Sequence, residues 1–501
     1  MIRHSAFAVE PWAIRETSLD LDVLAQTESL FALANGHVGL RGNLDEGEPF
    51  GLPGTYLNSV FELRPIPYGE TAYGYPESGQ TVINVTNGKL IYLLVDDEPF
   101  DVRYGQLRAH ERVLDLRAGT LTREVEWVSP AGQAVHVKSV RLVSLTQRAI
   151  AAIRYEVEVL DSAADVVVQS ELVANEPLAR GVATQDPRQA AVVDTPLRAE
   201  ENAHDDIGAV LIHHTATSGL HVAAAMNHRV DGPGGTGTDC MSQPDLARLT
   251  VTSRLKPGER LSLVKLLAYG WSSQRSAPAL RAQVAAALSA ARSIGWDGLL
   301  AEQRQYLDYF WQDADIELDG DPELQQAVRF GTFHILQAGA RGEDRPIAAK
   351  GLTGPGYDGH TFWDTETFVL PILTYVLPSA AASALRWRHT ILPAASERAN
   401  SGCAEQPFHG GPSMGGRARA TGRAAPLRST LMPTSPMPYS DTWMQLTTRP
   451  SSGRWGWNCW SRRRASGAHW VTMTGKVSFG STASLVPTST APWLTTISTP
   501  T

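Results

Sequence analysis

Ala149-Ile-Ala-Ala-Ile-Arg-Tyr-Glu-Val-Glu-Val-Leu160 alternates apolar and polar side chains over most of its length. That is the pattern of a strand with one face in a core and the other toward water. Working outward, Asp165-Val-Val-Val-Gln-Ser-Glu-Leu-Val173, Val210-Leu-Ile-His-His214 and Leu249-Thr-Val-Thr-Ser-Arg-Leu255 have the same character. Turn formers such as Asp161-Ser162 and Lys256-Pro-Gly-Glu259 part them. Many short strands with no helical period between them predict a large antiparallel β-sandwich over residues 1–270.

The period then changes. Ala277 to Ala291 is alanine-rich, with Leu280, Val284, Leu288 and Ala291 at helical spacing, and Leu299 to Trp311 continues in that style, so residues 271–320 read as a helical linker. A further helix is expected from Pro322 to Gln337, where proline suits the first turn. Helices resume in Thr365 to Leu377 and Ser379 to Ala399. Residues 321–400 are therefore the start of an all-helical domain.

A chain of 501 residues, 43% apolar and 19% charged, has room for two or three cored units of a globular protein. Its net charge of −8 is unevenly spread. Ten of the 44 Lys and Arg but only two of the 52 acids, Glu405 and Asp441, lie after residue 400. The acidic body before that point does not suit a nucleic-acid binder. Cys240, Cys403 and Cys459 are too few and too scattered for a disulfide framework or a zinc site. The N-terminus, Met1 to Pro11, breaks its short apolar stretch with a charge and a proline, and does not read as a signal peptide. The longest apolar run, Phe368 to Pro378, is about half of the roughly 20 residues a spanning helix needs. A cytoplasmic protein without a membrane segment is the expectation.

From Ser401 the character is foreign. The tail mixes Arg, Ser, Thr, Pro and Gly with six tryptophans, Trp443, Trp455, Trp457, Trp460, Trp470 and Trp493, and has no sustained period. Ordinary disordered segments are poor in aromatics, so this composition needs another origin. Residues 401–501 are expected to be an out-of-frame, disordered tail.

Chemistry concentrates in Gly351-Leu-Thr-Gly-Pro-Gly-Tyr-Asp-Gly-His-Thr-Phe-Trp-Asp-Thr-Glu366. Its glycines let the backbone turn tightly and approach a ligand, but the loop lacks the Lys-Ser/Thr ending of a phosphate cradle. Phe362-Trp363-Asp364 sets a flat apolar ring beside a carboxylate. Sugars suit that pairing, because their C–H faces pack on rings while their hydroxyls seek charged acceptors. A Trp-Asp pair alone is more often structural, and His360 alone is more often a hydrogen-bonded loop residue than a catalyst. Asp364 and Glu366 could make an acid/base pair, yet in a helical first turn they diverge, so Glu366 reads as a charge favouring the helix dipole.

As a whole the run resembles the signature of glycoside hydrolase family 65, the maltose, trehalose and kojibiose phosphorylases and related α-glucoside hydrolases. Leu33-Ala-Asn-Gly-His-Val-Gly-Leu-Arg-Gly-Asn43 and Leu385-Arg-Trp-Arg388 extend the resemblance, which covers about residues 7–400. It implies an N-terminal super-β-sandwich, a helical linker and an (α/α)6 barrel, here incomplete. It also implies that Trp363 and Asp364 line the subsite of the non-reducing glucose. The substrate would be an α-linked glucose disaccharide, cleaved with inversion: one glutamic acid protonates the glycosidic oxygen while phosphate, or water in the hydrolases, attacks the opposite face. No cofactor or metal is implied, inorganic phosphate being the co-substrate of a phosphorylase, and intact members are expected to be homodimers.

The family's proton donor lies in a Gly-Pro-Asp-Glu-Tyr motif far downstream, and no such motif stands in this sequence. In an offset reading frame, however, Pro407 to Ser413 can encode Ala-Phe-Pro-Trp-Arg-Thr-Ile, and Thr430 to Pro436 can encode His-Ile-Asn-Ala-Asp-Ile-Ala. The stretch Val486, Pro487, Thr488, Ser489 and Thr490 can encode Gly-Pro-Asp-Glu-Tyr, the acid falling across Thr488 and Ser489. Three ordered matches point to a frame-shifted, truncated copy whose catalytic acid is not translated. The alternatives are a hydrolase of the same family and a non-catalytic sugar-binding or structural β-sandwich protein.

Overall fold

The structure, a computed structural model, describes residues 4–47, 54–65, 78–176, 193 and 195–395, and the backbone of three strands beyond residue 439. The chain divides into two compact units, Met1–Leu427 and Arg428–Thr501.

The first unit is built on an antiparallel sheet of ten strands. From one edge to the other these are Phe7–Glu10, Ala13–Glu16, Gln106–Asp115, Thr120–Val128, Ala134–Val143, Ile150–Val159, Arg260–Ser272, His221–Asp231, Gly208–Thr215 and Leu197–His204. A five-stranded sheet, Gly237–Gln243, Leu246–Leu255, Ala164–Val173, Ile91–Val95 and Glu98–Pro99, packs against it. The central strand shows how the sequence sets this up. Ile153, Tyr155, Val157 and Val159 share a core with Val166, Val168, Leu249 and Val251 of the second sheet. Arg154, Glu156 and Glu158 take the opposite face, as strand periodicity requires. Ile150-Ala-Ala-Ile153 breaks the alternation because both of its faces are covered.

The cover is a helix. After α1 (Leu24–Leu30), the next is α2, Ala277–Ala314, which lays Leu280, Val284, Ala291, Trp296 and Leu299 on Ile150, Ala152, Ile212, Ala223 and Leu266 of the large sheet. The two helical stretches legible in the sequence are the two arms of α2, joined at Gly295, whose φ of 73° lies outside helical geometry and breaks the helix there. Each fully buried Leu or Val contributes about 1.5–3 kcal/mol, so the sheet depends on α2. The unit therefore extends past the predicted boundary at 270. Residues 1–314 should give a β-dominated circular-dichroism spectrum and a cooperative melt, whereas 1–270 should aggregate; an equally cooperative melt of the shorter fragment would show α2 to be dispensable.

Helix α3, Pro322–Gly339, starts where the sequence placed it: the Asp321 carboxylate accepts from Leu324 N at 2.9 Å, and Pro322 fills the first turn. Thr365 to Leu377 is not one helix. A π-helical turn, Thr365–Val369, leads into α4, Leu370–Val376, and Pro371 at the start of α4 cannot donate a backbone bond into the preceding turn. Helix α5, Pro378–Thr390, follows. Among the described residues no helix is long and apolar enough to cross a membrane.

In the second unit, Ser440–Thr448, Trp455–Arg463 and Val471–Val477 pair as a three-stranded antiparallel sheet with Trp443 opposite Trp460. The rest of the tail that begins at Ser401 lies outside the described residues. The segments are rich in Trp and Thr, residues that favour extended backbone whatever their origin.

Candidate functional site

The segment after α1 supports the site. Three arginines on neighbouring strands of the large sheet fix it from below. Arg112 is paired with Glu16 and donates to the Gly42 carbonyl at 3.1 Å. Arg123 holds Glu46 at 2.8 Å, and Arg141 holds Asp45 at 2.8 Å. All three guanidinium groups are buried and paired with carboxylates, the condition under which interior charge is tolerated.

The same segment meets the helical part on its other side. Gly39 touches Leu352, and a Cβ there would lie 2.3 Å from the Leu352 Cβ, so only glycine allows this approach. Arg41, 5% exposed, donates to Ser29 Oγ and the Thr353 carbonyl through Nη1, and to the Ala25 carbonyl and the Glu28 carboxylate through Nη2, all at 2.8–2.9 Å. Asn58 donates to the Gly36 and Pro346 carbonyls at 2.7 and 2.9 Å, and the Asn35 carbonyl accepts from Arg341 N at 2.6 Å. The motif at Leu33–Asn43 is thus a cradle for the glycine-rich loop. A small cavity of about 10 Å³ remains beneath it, lined by Tyr56, Asn58, Phe61, Val82, Leu352 and Gly359 among others.

Within the loop, Tyr357, Asp358 and Gly359 take successive left-handed conformations, with φ of 58°, 56° and 72°. Such backbone at non-glycine residues costs on the order of 1–2 kcal/mol each and persists only where the surroundings enforce it. The enforcement is visible. Asp358 accepts from Thr81 Oγ1 at 2.9 Å, and His360 donates from Nε2 to the Gln80 carbonyl at 2.6 Å. A Cβ on Gly359 would stand 2.6 Å from that of Val82. His360 is a loop anchor, as its isolation in the sequence suggested.

The chain then presents Trp363 and Asp364. The Trp363 ring is 53% exposed and leans on Phe368 at 6.5 Å between centroids. Asp364 is exposed too, and its carboxylate has no protein partner among the described residues. Glu366 differs from its expected role at a helix start: both its oxygens are taken by Arg388 of α5. Among the described residues, then, Glu366 is engaged and Asp364 is not. Sequence reasoning placed the loop and the Trp-Asp pair but missed Arg41, Asn58, Thr81 and Arg388 as supports. Arg41 and Arg388 each sat inside a quoted motif, which was the available signal. Val486, Pro487, Thr488, Ser489 and Thr490 lie outside the described residues.

Fold and turn together define a class: a β-sandwich protein with a following helical part that exposes a tryptophan and, next to it in sequence, a carboxylate without a partner among the described residues. The chain belongs to glycosyl hydrolase family 65, the family's N-terminal domain matching residues 14–310 and its central catalytic domain residues 329–408. It is 62% identical over 399 residues to an uncharacterized glycosyl hydrolase of Mycobacterium tuberculosis, covering 80% of this chain and 50% of that one. It is 32% identical over 398 residues to the alpha,alpha-trehalose phosphorylase of Thermoanaerobacter brockii, covering 78% and 51%. A solved structure of a candidate kojibiose phosphorylase from the human microbiome shares the fold, with a TM-score of 0.71 at 23% identity over 79% of this chain and 51% of that one. The chain spans about half the length of the curated relatives it matches.

Proposed function

We propose that this chain carries the glucose-holding part of an inverting α-glucoside phosphorylase, and that this copy lacks catalysis because its general acid is not encoded in frame. The observation that carries the reading is that Trp363 and the adjoining Asp364 are both exposed, the carboxylate without a partner among the described residues, on a loop held from two sides. A glucosyl unit would pack its C–H face on the ring and donate hydroxyl protons to the carboxylate. Phosphate, already anionic, would attack the anomeric carbon from the face opposite the leaving oxygen, giving glucose 1-phosphate and glucose. The trehalose phosphorylase among the relatives supports this choice over a purely structural role. The frame-shift reading is supported by the extent of the similarity, 399 residues or 80% of the chain, and by the catalytic-domain match ending at residue 408.

The test is kinetic. In a version returned to frame after Asn400, Asp364→Ala removes a charged acceptor worth roughly 1.5–3 kcal/mol, so kcat/KM on the cleaved disaccharide should fall at least about tenfold. Unchanged kinetics would return the Trp-Asp pair to a structural role. Free glucose without glucose 1-phosphate as the product would identify water as the attacking group and a hydrolase as the enzyme.

A further inference from the structure

Helix α5 turns back to the sugar loop and delivers one side chain to it. Arg388 donates through Nε and Nη2 to the two oxygens of Glu366, the Nη2–Oε2 distance being 3.0 Å. The same Nη2 donates to the Phe362 carbonyl, also at 3.0 Å. One planar guanidinium thus holds the peptide entering Trp363 and the side chain two residues after Asp364. The Arg388 side chain is only 13% exposed, and its guanidinium lies 4.9 Å from the centroid of the Trp387 ring. Such a pair is more than a loose surface ion pair.

The held segment needs holding. Thr365–Val369 is a π-helical turn, a rare geometry that places its carbonyls out of α-helical register. Its inner side is tied by Thr361 Oγ1 and Thr365 Oγ1, which donate to the Ile347 carbonyl at 2.8 and 3.4 Å. Its outer side carries Trp363, Asp364 and Phe368 into solvent. Arg388 spans that outer side from Phe362 to Glu366. A lysine could not reproduce the span, because an ammonium is a point charge without the planar fork that grips a carboxylate and a carbonyl together.

We infer that Arg388 is a positioning residue for sugar recognition: through Glu366 and the Phe362 carbonyl it sets the angle at which Trp363 and Asp364 meet a glucosyl unit. The inference rests on the reading of Trp363 and Asp364 as the glucose-holding pair. It also assigns Glu366 to that clamp and removes it from the candidates for general acid.

The 501-residue chain itself can be tested, with maltose as the probe in saturation-transfer NMR and with amide hydrogen exchange as the local readout. Arg388→Ala should weaken maltose binding at least about tenfold, the scale of a lost charge-assisted contact. It should also speed exchange across residues 362–370 while leaving Ile150–Val159 as protected as before, which separates a local effect from failure to fold. Arg388→Lys should recover little of the affinity, and Arg388→Ala combined with Glu366→Gln should be no worse than Arg388→Ala alone. If Trp363→Ala abolishes binding but Arg388→Ala binds as the parent does, the clamp is overturned and the sugar site stands. If the parent does not bind maltose, or Trp363→Ala binds it equally well, the sugar site falls and the positioning role falls with it.

Discussion

The 501-residue chain is expected to release no glucose 1-phosphate from maltose, trehalose or kojibiose in the presence of phosphate, while a version returned to frame after Asn400 and extended to its next stop does. On the proposed reading Trp363 and Asp364 supply the glucose side of the reaction, and the proton donor is not encoded in frame. Protonation by a positioned acid contributes typically 10²–10⁴-fold, and without it the glycosidic oxygen leaves as an alkoxide. Glu366, the nearest other carboxylate in sequence, has both oxygens on Arg388. Phe368, Ile372 and Tyr375 follow one another at helical spacing and stand 59%, 39% and 85% exposed. An apolar stripe of that kind should make the unshifted chain self-associate. Glucose 1-phosphate from the unshifted chain would mean that a described carboxylate supplies the proton, and Glu366→Gln would then be the first variant to assay.

The largest expected effect on stability is at Arg41. Its guanidinium neutralises Glu28, which is fully buried, and it joins α1 to the Thr353 carbonyl in the glycine-rich loop. Arg41→Ala leaves that carboxylate without its counter-charge in the interior, a situation that costs about 3–5 kcal/mol. The denaturant midpoint should fall accordingly, and protease should cut the loop near Leu352 faster. Adding Glu28→Gln should restore part of the loss by removing the orphaned charge. A midpoint that moves by less than about 1 kcal/mol equivalent in Arg41→Ala would show that water reaches Glu28 and that the loop is held by other contacts.

Much of the fold was legible because it rests on local periodicity. The inward face of Ile150–Val159, the strand ending at Val173 and the start of α3 follow from two- and 3.6-residue repeats and from Pro322. The loop at Gly351 was legible from its glycines. What escaped was what depends on residues distant in sequence. Nothing near Arg41 says that it is buried, since arginine in a Gly-Leu-Arg-Gly run ordinarily reads as surface. The partner that makes its burial tolerable is Glu28, on a short helix that the alternating pattern did not announce. Likewise Glu366 looked like a helix-start charge because its counter-ion lies 22 residues on. The π turn was hidden because Thr365 to Leu377 is apolar enough for an α-helix, and Pro371 sits where a first-turn proline would be accepted one turn later.

The cradle at Leu33–Asn43 has a consequence for the order in which the chain folds. It and its neighbours are tied to the helical part across enormous separations: Arg41 reaches Thr353 of the loop, 312 residues away, Ala34 meets Gln337 of α3 across 303, and Asn58 meets Pro346 across 288. During synthesis the N-terminal domain emerges first, so the residues of the cradle are outside the ribosome before their occupant emerges. Docking of residues 346–354 then closes contacts of very high sequence separation, and the loop-closure entropy is spent in that single late step. Every residue of cradle, loop and the Arg388–Glu366 pair precedes residue 395, so an error in the message beyond that codon leaves all of the groups that make these contacts in the chain.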